Sequence, residues 1–169
     1  MKKFKLTSEF IVDISGVKLF RIKALIEFGN VKAGDLGGYI EKEKNLSHMG
    51  NAWVSGNAQV SGNAWVFGDA QVFGNAQVFG NARVSGDAQV FGDARVSGDK
   101  DYAYAHGFGS CNRTTTFFRL KDGDVGVRCG CFYGTLAQFR DNVCETHGET
   151  KKAQEYLMLA DLMDFRFKN

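Results

Sequence analysis

Proline is missing from all 169 residues, where ordinary usage of ~5 % would place about eight. Without proline, the 21 glycines do not read as a disordered Pro/Gly-rich linker but as periodic corners. An excess of charge of one sign is also lacking. There are 21 basic and 19 acidic residues, a formal net charge of +2, and that balance does not mark a nucleic-acid binder. No apolar run is long enough to cross a bilayer. The first residues, MKKFKLTSEFIVDISG, are basic but lack the uninterrupted apolar stretch of a signal peptide. Cysteine is sparse and confined to the last third, at Cys111, Cys129, Cys131 and Cys144. With no export signal, free thiols in a reducing cytoplasm are expected. Apolar residues make up 44 %, enough to bury the core of one domain or a small pair.

What the chain has instead is a beat. Val recurs at 54, 60, 66, 72, 78, 84, 90 and 96, with Ala two positions before each and Gly two positions after, followed by Asn or Asp. A period of six would carry the valines around an α-helix. On a strand it keeps Ala and Val of Ala-x-Val-x on one face and the x residues on the other. Gly-Asn/Asp then turns the chain, because both tolerate unusual backbone angles. Three units close a triangular coil, and coils stack at about 4.8 Å. The expected fold class is therefore mainly β: a left-handed parallel β-helix of hexapeptide repeats with an N-terminal β lead-in and a small C-terminal ββαα unit. Ile40, Leu46 and Ala52 are also six apart, so the beat is expected to begin before it becomes obvious. The expected divisions are a lead-in and cap over 1–45, the repeat over 46–99 and an α+β unit over 100–169.

Outside the repeat, the lead-in holds short β-rich runs with a turn at Ser15-Gly16. In TTTFFRLKDGDVGVRCGCFYG, two strands are expected to join at Asp122-Gly123. Thr135 and Gln138 are spaced as a capping box. They open a helix over about Leu136–His147, which Gly148 stops. A second helix is expected over Lys151–Phe165, with Ala153, Tyr156, Leu157, Ala160 and Met163 on one apolar face.

An eighteen-residue coil puts Trp53, Phe73 and Phe91 on one outer face, Phe79 with Arg95 on a second, and Trp65, Phe67 and Arg83 on the third. Val and Ala already fill the interior, so these rings point outward and need cover. The covering can be the protein's own non-repetitive ends or a second subunit, and a ligand platform is a third use. Trp53, Trp65, Phe67, Phe73, Phe79 and Phe91 form the candidate interface of a dimer or trimer. The open coil ends need caps against edge pairing, a role that falls to the unrepeated segments.

Three groups of residues carry candidate chemistry. YAYAHGFGSCNRTTTFF gathers glycines for close backbone approach, hydroxyls, and an Arg fork for phosphate. His106, Ser110, Asn112, Arg113 and Thr114, with Arg128, are the candidate anion or nucleotide contacts, although no Walker loop or dinucleotide fingerprint is present. The plainer reading is a linker followed by a Thr-rich strand. Cys129 and Cys131 flank one glycine on an expected shared strand face, and Cys144 and His147 are spaced C-x-x-H. Together they have the ligand types of a tetrahedral zinc site, against the alternative of buried thiols. His48 stands where the beat expects Val, so its side chain is expected to end the interior ladder. No cofactor is expected.

FRIKALIEFGNVKAGDLGGYIEKEKNLSHMGNAWV resembles a family of bacterial and prophage hexapeptide-repeat proteins labelled transferase or polymer-forming protein. GSCNRTTTFF and CGCFYGTLAQF resemble the tail of members from phages of Gram-positive bacteria. In that family a basic residue often precedes the Asn where this chain has Cys111. Many hexapeptide-repeat proteins are acyltransferases that use a histidine and a loop extruded from the coil. Between Gly50 and Asp99 this chain has neither, so a CoA-dependent acyltransferase is the second reading and a structural spacer the third. The first is a non-enzymatic, oligomeric binding protein. The resemblance implies a phage accessory factor that engages a host protein or sequesters a phosphate-bearing ligand, countering host defence.

Overall fold

The computed structural model describes residues 1–168; Asn169, the last residue of the expected C-terminal unit, lies outside the described residues. The chain opens with an antiparallel hairpin, β1 (Phe4–Val12) and β2 (Lys18–Ala24), continued by β3 (Leu36–Ile40). The expected turn at Ser15-Gly16 is built on Asp13, whose carboxylate accepts from Ser15 N at 2.8 Å and Val17 N at 2.9 Å. Eight two-residue strands follow, one per repeat unit: β4 (Trp53–Val54), β5 (Gln59–Val60), β6 (Trp65–Val66), β7 (Gln71–Val72), β8 (Gln77–Val78), β9 (Arg83–Val84), β10 (Gln89–Val90) and β11 (Arg95–Val96).

Pairing is parallel and skips two units each time: β4 to β7 to β10, β5 to β8 to β11, and β6 to β9. Gln59 lies beside Gln77 and Gln77 beside Arg95, so one coil takes eighteen residues and three sides, as the period requires. The result is a parallel β-solenoid of about three turns. All eight repeat valines are at 0 % exposure, and each fully buried side chain of this size contributes about 1.5–3 kcal/mol of transfer free energy. Ala fills the tighter slot two residues earlier. In the rung contributed by β3 that slot is Gly38, where an added Cβ would stand 2.6 Å from Ala58 O and 2.8 Å from Val54 Cγ1. At the corners the backbones of successive coils nearly touch. Gly74 has φ +73°, and a Cβ there would sit 2.9 Å from Gly92 N.

The beat does begin early, but it slips. Ile40 pairs with Val60 and Leu46 bridges to Val66, so both occupy valine slots. Between Leu46 and Val54 the chain then carries two extra residues, His48 and Met49. This corrects the expectation for His48, because Leu46 already fills the valine slot there. The imidazole lies outside the ladder, stacked on Phe4 with centroids 4.3 Å apart. Its Nδ1 accepts from Lys3 N at 3.1 Å, and its Nε2 lies 2.7 Å from Glu43 Oε1.

Each coil's Ala carbonyls accept from the coil before, as Ala70 O does from Trp53 N at 3.0 Å and Ala82 O from Trp65 N at 2.9 Å. The first coil has no complete predecessor, and side chains take its place. Lys3 Nζ donates to Ala52 O at 2.7 Å and Gly50 O at 3.2 Å. Asn45 Nδ2 donates to Ala64 O at 2.8 Å and Gly62 O at 3.2 Å. The last coil has the opposite need, since its outward N–H groups lack acceptors. Arg83 N donates to Asp99 Oδ1 at 2.7 Å, Gln89 N to Thr116 Oγ1 at 2.9 Å and Ser97 N to Asp101 Oδ2 at 2.9 Å. Both open edges are thus closed within the chain.

Lys3 is buried, and burial pushes its ammonium down from 10.5 to about 8, against a weaker opposing pull from Asp69. The folded protein therefore releases this proton before the unfolded chain does. Stability is expected to rise with pH between about 8 and 10.5, where only the unfolded state holds the proton. Below that window Lys3 contributes no pH dependence. Urea midpoints measured across it should show the rise, and Lys3→Met should flatten it.

Beyond the solenoid, the C-terminal unit has four strands where two were expected. β12 (Tyr102–Phe108), β13 (Arg113–Arg119), β14 (Val125–Cys129) and β15 (Phe132–Thr135) form an antiparallel sheet in that order. The Asp122-Gly123 hairpin is present. The segment expected to be a linker is the β12–β13 hairpin, a second turn that the Thr-rich reading left out. Helix α1 (Leu136–His147) starts on the Thr135–Gln138 capping box and ends at Gly148, and α2 spans Lys151–Phe167. Ala153, Tyr156, Ala160 and Met163 are buried as expected, and Leu157 is half-buried.

Candidate ligand cleft

Strand alternation divides the C-terminal sheet between two neighbours. On β13, Phe117 joins the core under the helices, while Phe118 joins the core of the solenoid. On β14, Val127 faces the helices and Arg128 faces the solenoid. This division separates the six candidate ligand residues.

Arg128 is under the sheet, its guanidinium 5.6 Å from the Phe73 centroid and 5.1 Å from that of Phe91. Its Nε is buried without a hydrogen-bond partner. His106 and Thr114 bond to each other, Nδ1 to Oγ1 at 2.9 Å, and line a solenoid-side cleft with Asp69 and Asp87. Asn112 is exposed in the hairpin loop, where it and Cys111 adopt φ of +47° and +59°. Ser110 lines a different cleft of about 430 Å³ beneath the helices. Arg113 lines both clefts. Its guanidinium rests against Gly130.

The helix-side cleft brings together residues that the sequence placed in separate groups. Ser110 and Arg113 meet Cys129, Cys131 and His147 over a floor of Phe132, Phe139, Val143 and Tyr156. Tyr156 is the hub. Its hydroxyl accepts from Ser110 N at 3.0 Å and lies 3.2 Å from Ser110 Oγ and 3.8 Å from Cys129 Sγ. Burial raises its pKa above the ordinary 10, with the Ser110 bonds opposing more weakly, so the hydroxyl stays protonated at neutral pH. Gly109 N donates to Glu155 Oε2 at 2.7 Å, which fixes the loop to α2. Among the described residues, the lining includes Asn142 and Thr146 but no carboxylate.

The cysteine expectation changes in two respects. Cys129 pairs with Phe132, so Gly130 and Cys131 form a two-residue turn, with Gly130 at φ +59°, and the two thiols do not share a strand face. Nor are the thiols buried: Cys111, Cys131 and Cys144 are exposed and Cys129 is half-buried. Cys144 lies outside the cleft lining. Among the described residues, no three His, Cys, Asp or Glu side chains gather as metal ligands.

The outward aromatics are mostly covered by the chain itself. Trp53 is 4 % exposed, edge-on to Phe28 at 5.3 Å and Phe4 at 6.5 Å, and so offers no surface to a partner. Phe73 packs on Phe91 at 4.6 Å, and Phe91 meets Tyr133 at 4.7 Å. Phe79 lies under Arg95 at 5.2 Å. Trp65 and Phe67 stack on each other at 4.1 Å, and Trp65 remains 40 % exposed.

The sequence reading missed Phe132, Phe139, Asn142, Thr146 and Tyr156 as cleft residues. Tyr156 was legible only as a core position of α2. Its one distinguishing signal was a hydroxyl on an otherwise apolar face, which must find a partner when buried.

Fold and site together define a class: a parallel β-solenoid closed at both ends by unrepeated segments, carrying an α+β unit with its own cleft. Within that class, residues 58–74, 70–85, 76–89 and 88–99 match the family model described as YdcK Beta solenoid repeat. The similarity covers residues 58–99, most of the repeat, and stops short of the cleft. No curated protein matches the chain. No helix among the described residues is long and apolar enough to cross a membrane.

Proposed function

We propose that this is a non-enzymatic, oligomeric binding protein that takes a phosphate-bearing ligand, a nucleotide by class, in the helix-side cleft. The observation that carries the reading is the contrast between the two clefts that share Arg113. The solenoid-side cleft also presents Asp69 and Asp87, which repel an anion. The helix-side cleft presents Arg113, Ser110 and His147 with no carboxylate, and its aromatic floor suits a flat ring beside the phosphate. A cleft of about 430 Å³ is within the ordinary range for small ligands. The resemblance of the tail to phage proteins makes a host signalling nucleotide, sequestered in the bacterial cytoplasm, the physiological version of this ligand.

The acyltransferase reading draws less support. His48 is engaged on both ring nitrogens by Lys3 and Glu43, and the repeat extrudes no loop after it.

Thermal shift and calorimetry with mono-, di- and cyclic nucleotides and with acyl-CoAs test the proposal. A nucleotide is expected to raise the melting temperature, and Arg113→Ala is expected to weaken its binding at least tenfold, the loss of about 1.5–3 kcal/mol from a charge-assisted bond. Equal binding by Arg113→Ala, or turnover of an acyl-CoA, would overturn it.

A further inference from the structure

On two of the solenoid's three sides an arginine lies over outward phenylalanine rings. Arg128 lies over Phe73 and Phe91. Arg95 lies over Phe79, the ring one rung earlier on its own side. Arg83 stands in the same relation to Phe67 as Arg95 does to Phe79, one rung later on the sheet of β6 and β9. There the pattern breaks. Trp65 replaces the glutamine found at position 77 and stacks on Phe67 at 4.1 Å, where the other side has an arginine over the ring. Arg83 is left exposed, with no ion pair or ring contact for its guanidinium among the described residues. Trp65 is left 40 % exposed with no cation over it.

The two halves of an unmade cation–π contact are thus on one surface, one rung apart. They do not meet within the chain: Phe67 stacks on the Trp65 ring, and among the described residues no ring lies under the Arg83 guanidinium. We infer that this side is an interface between two copies of the chain, with each Arg83 placed on Trp65 of the partner subunit. Two solenoids packed side to side with antiparallel axes, about a twofold parallel to the strands, exchange the two rungs. Trp65 then meets Arg83 of the partner subunit, and Phe67 meets Ser85 of the partner subunit. The contact is isologous and occurs twice, and it follows the arginine-on-ring rule the molecule uses internally. This inference specifies the oligomer of the proposed function and is independent of the ligand cleft.

Sedimentation velocity on the full chain over a concentration series is the test. Wild type is expected to form a reversible dimer. Arg83→Glu puts a carboxylate against the negative ring face and should shift the species to monomer, while Arg83→Lys keeps the cation and should retain the dimer. Arg83→Gln removes the cation without setting a second carboxylate beside Asp99, whose Oδ1 accepts from Arg83 N at 2.7 Å, so it should also weaken the dimer, while its melting temperature at low concentration should equal that of wild type and its nucleotide binding should be unchanged. A wild-type protein that stays monomeric throughout overturns the inference, as does a dimer indifferent to both Arg83→Glu and Trp65→Ala. A dimer lost in Leu162→Glu instead would place the contact on the exposed Met158, Leu162 and Phe165 of α2, and would equally refute it.

Discussion

Phe118→Ala is expected to lower folding stability by about 3–5 kcal/mol. Phe118 is at 0 % exposure and belongs to the same core as Val90, Ala94 and Val96, so its ring closes the last coil. It also lies over Gly126, where an added Cβ would fall 2.5 Å from the ring, and stacks with Tyr133 at 6.4 Å. One side chain therefore joins the end of the solenoid to the C-terminal sheet. Its removal leaves a cavity at the junction that neither part can collapse to fill, because both are built on hydrogen-bonded strands. Chemical denaturation should show the midpoint falling steeply. The transition should also broaden or divide, as the C-terminal unit unfolds ahead of a solenoid whose last valines have become exposed.

Asn45→Leu is the second large effect, with an expected loss of about 3 kcal/mol or more. Asn45 is at 0 % exposure, and all of its side-chain hydrogen-bonding capacity but one lone pair is used. Its Oδ1 accepts from Lys42 N at 2.9 Å, and its Nδ2 serves Ala64 O and Gly62 O. Leucine has similar bulk and greater hydrophobicity, so a scale based on burial would rank it as neutral or favourable. The physical accounting reverses that rank. Three backbone groups lose their partners, and each buried unsatisfied group costs about 1–3 kcal/mol. Asn45→Asp is a useful companion. It keeps the acceptor for Lys42 N but replaces the amide that donates to two carbonyls with an anion facing their oxygens, so it should be at least as damaging. Melting curves of the two variants, compared with Asn63→Leu on an exposed corner, separate a capping loss from a general effect of replacing asparagine.

These two residues also show where the sequence was readable. The valine beat gave the eighteen-residue coil, its three sides and its filled interior because a period of six has one geometric solution on strands. The Thr135–Gln138 box and Gly148 gave α1 to the residue, since capping is local chemistry. Asn45 gave no such signal. Its partners Gly62 and Ala64 are fixed only once a complete coil separates them from it. The slip at His48 and Met49 was hidden for a related reason, because Ile40, Leu46 and Ala52 keep a spacing of six although Ala52 occupies the alanine slot and not the valine slot. In the cleft, the Ser/Arg/Thr-rich hairpin and the Cys-Gly-Cys turn were each visible as polar clusters. Alternation along β13 and β14 joins Arg113 to Cys129 and puts Arg128 on the far side of the same sheet, while Tyr156 draws in Ser110 from the hairpin loop and His147 from α1. That alternation became decisive only when the number of strands rose from two to four.

The two capped ends of the solenoid have a consequence for how such a chain can change in length. The caps grip specific sides of the triangle: Lys3 and Asn45 at one end, Thr116 and Asp99 at the other. An insertion of eighteen residues adds one rung, about 4.8 Å, and returns every side to its own cap. An insertion of six would turn the far end by a third of a revolution, swinging the helix-side cleft around the axis relative to the Trp65 side. The repeat is therefore a ruler and a protractor at once, and only multiples of three units change the distance while keeping the bearing.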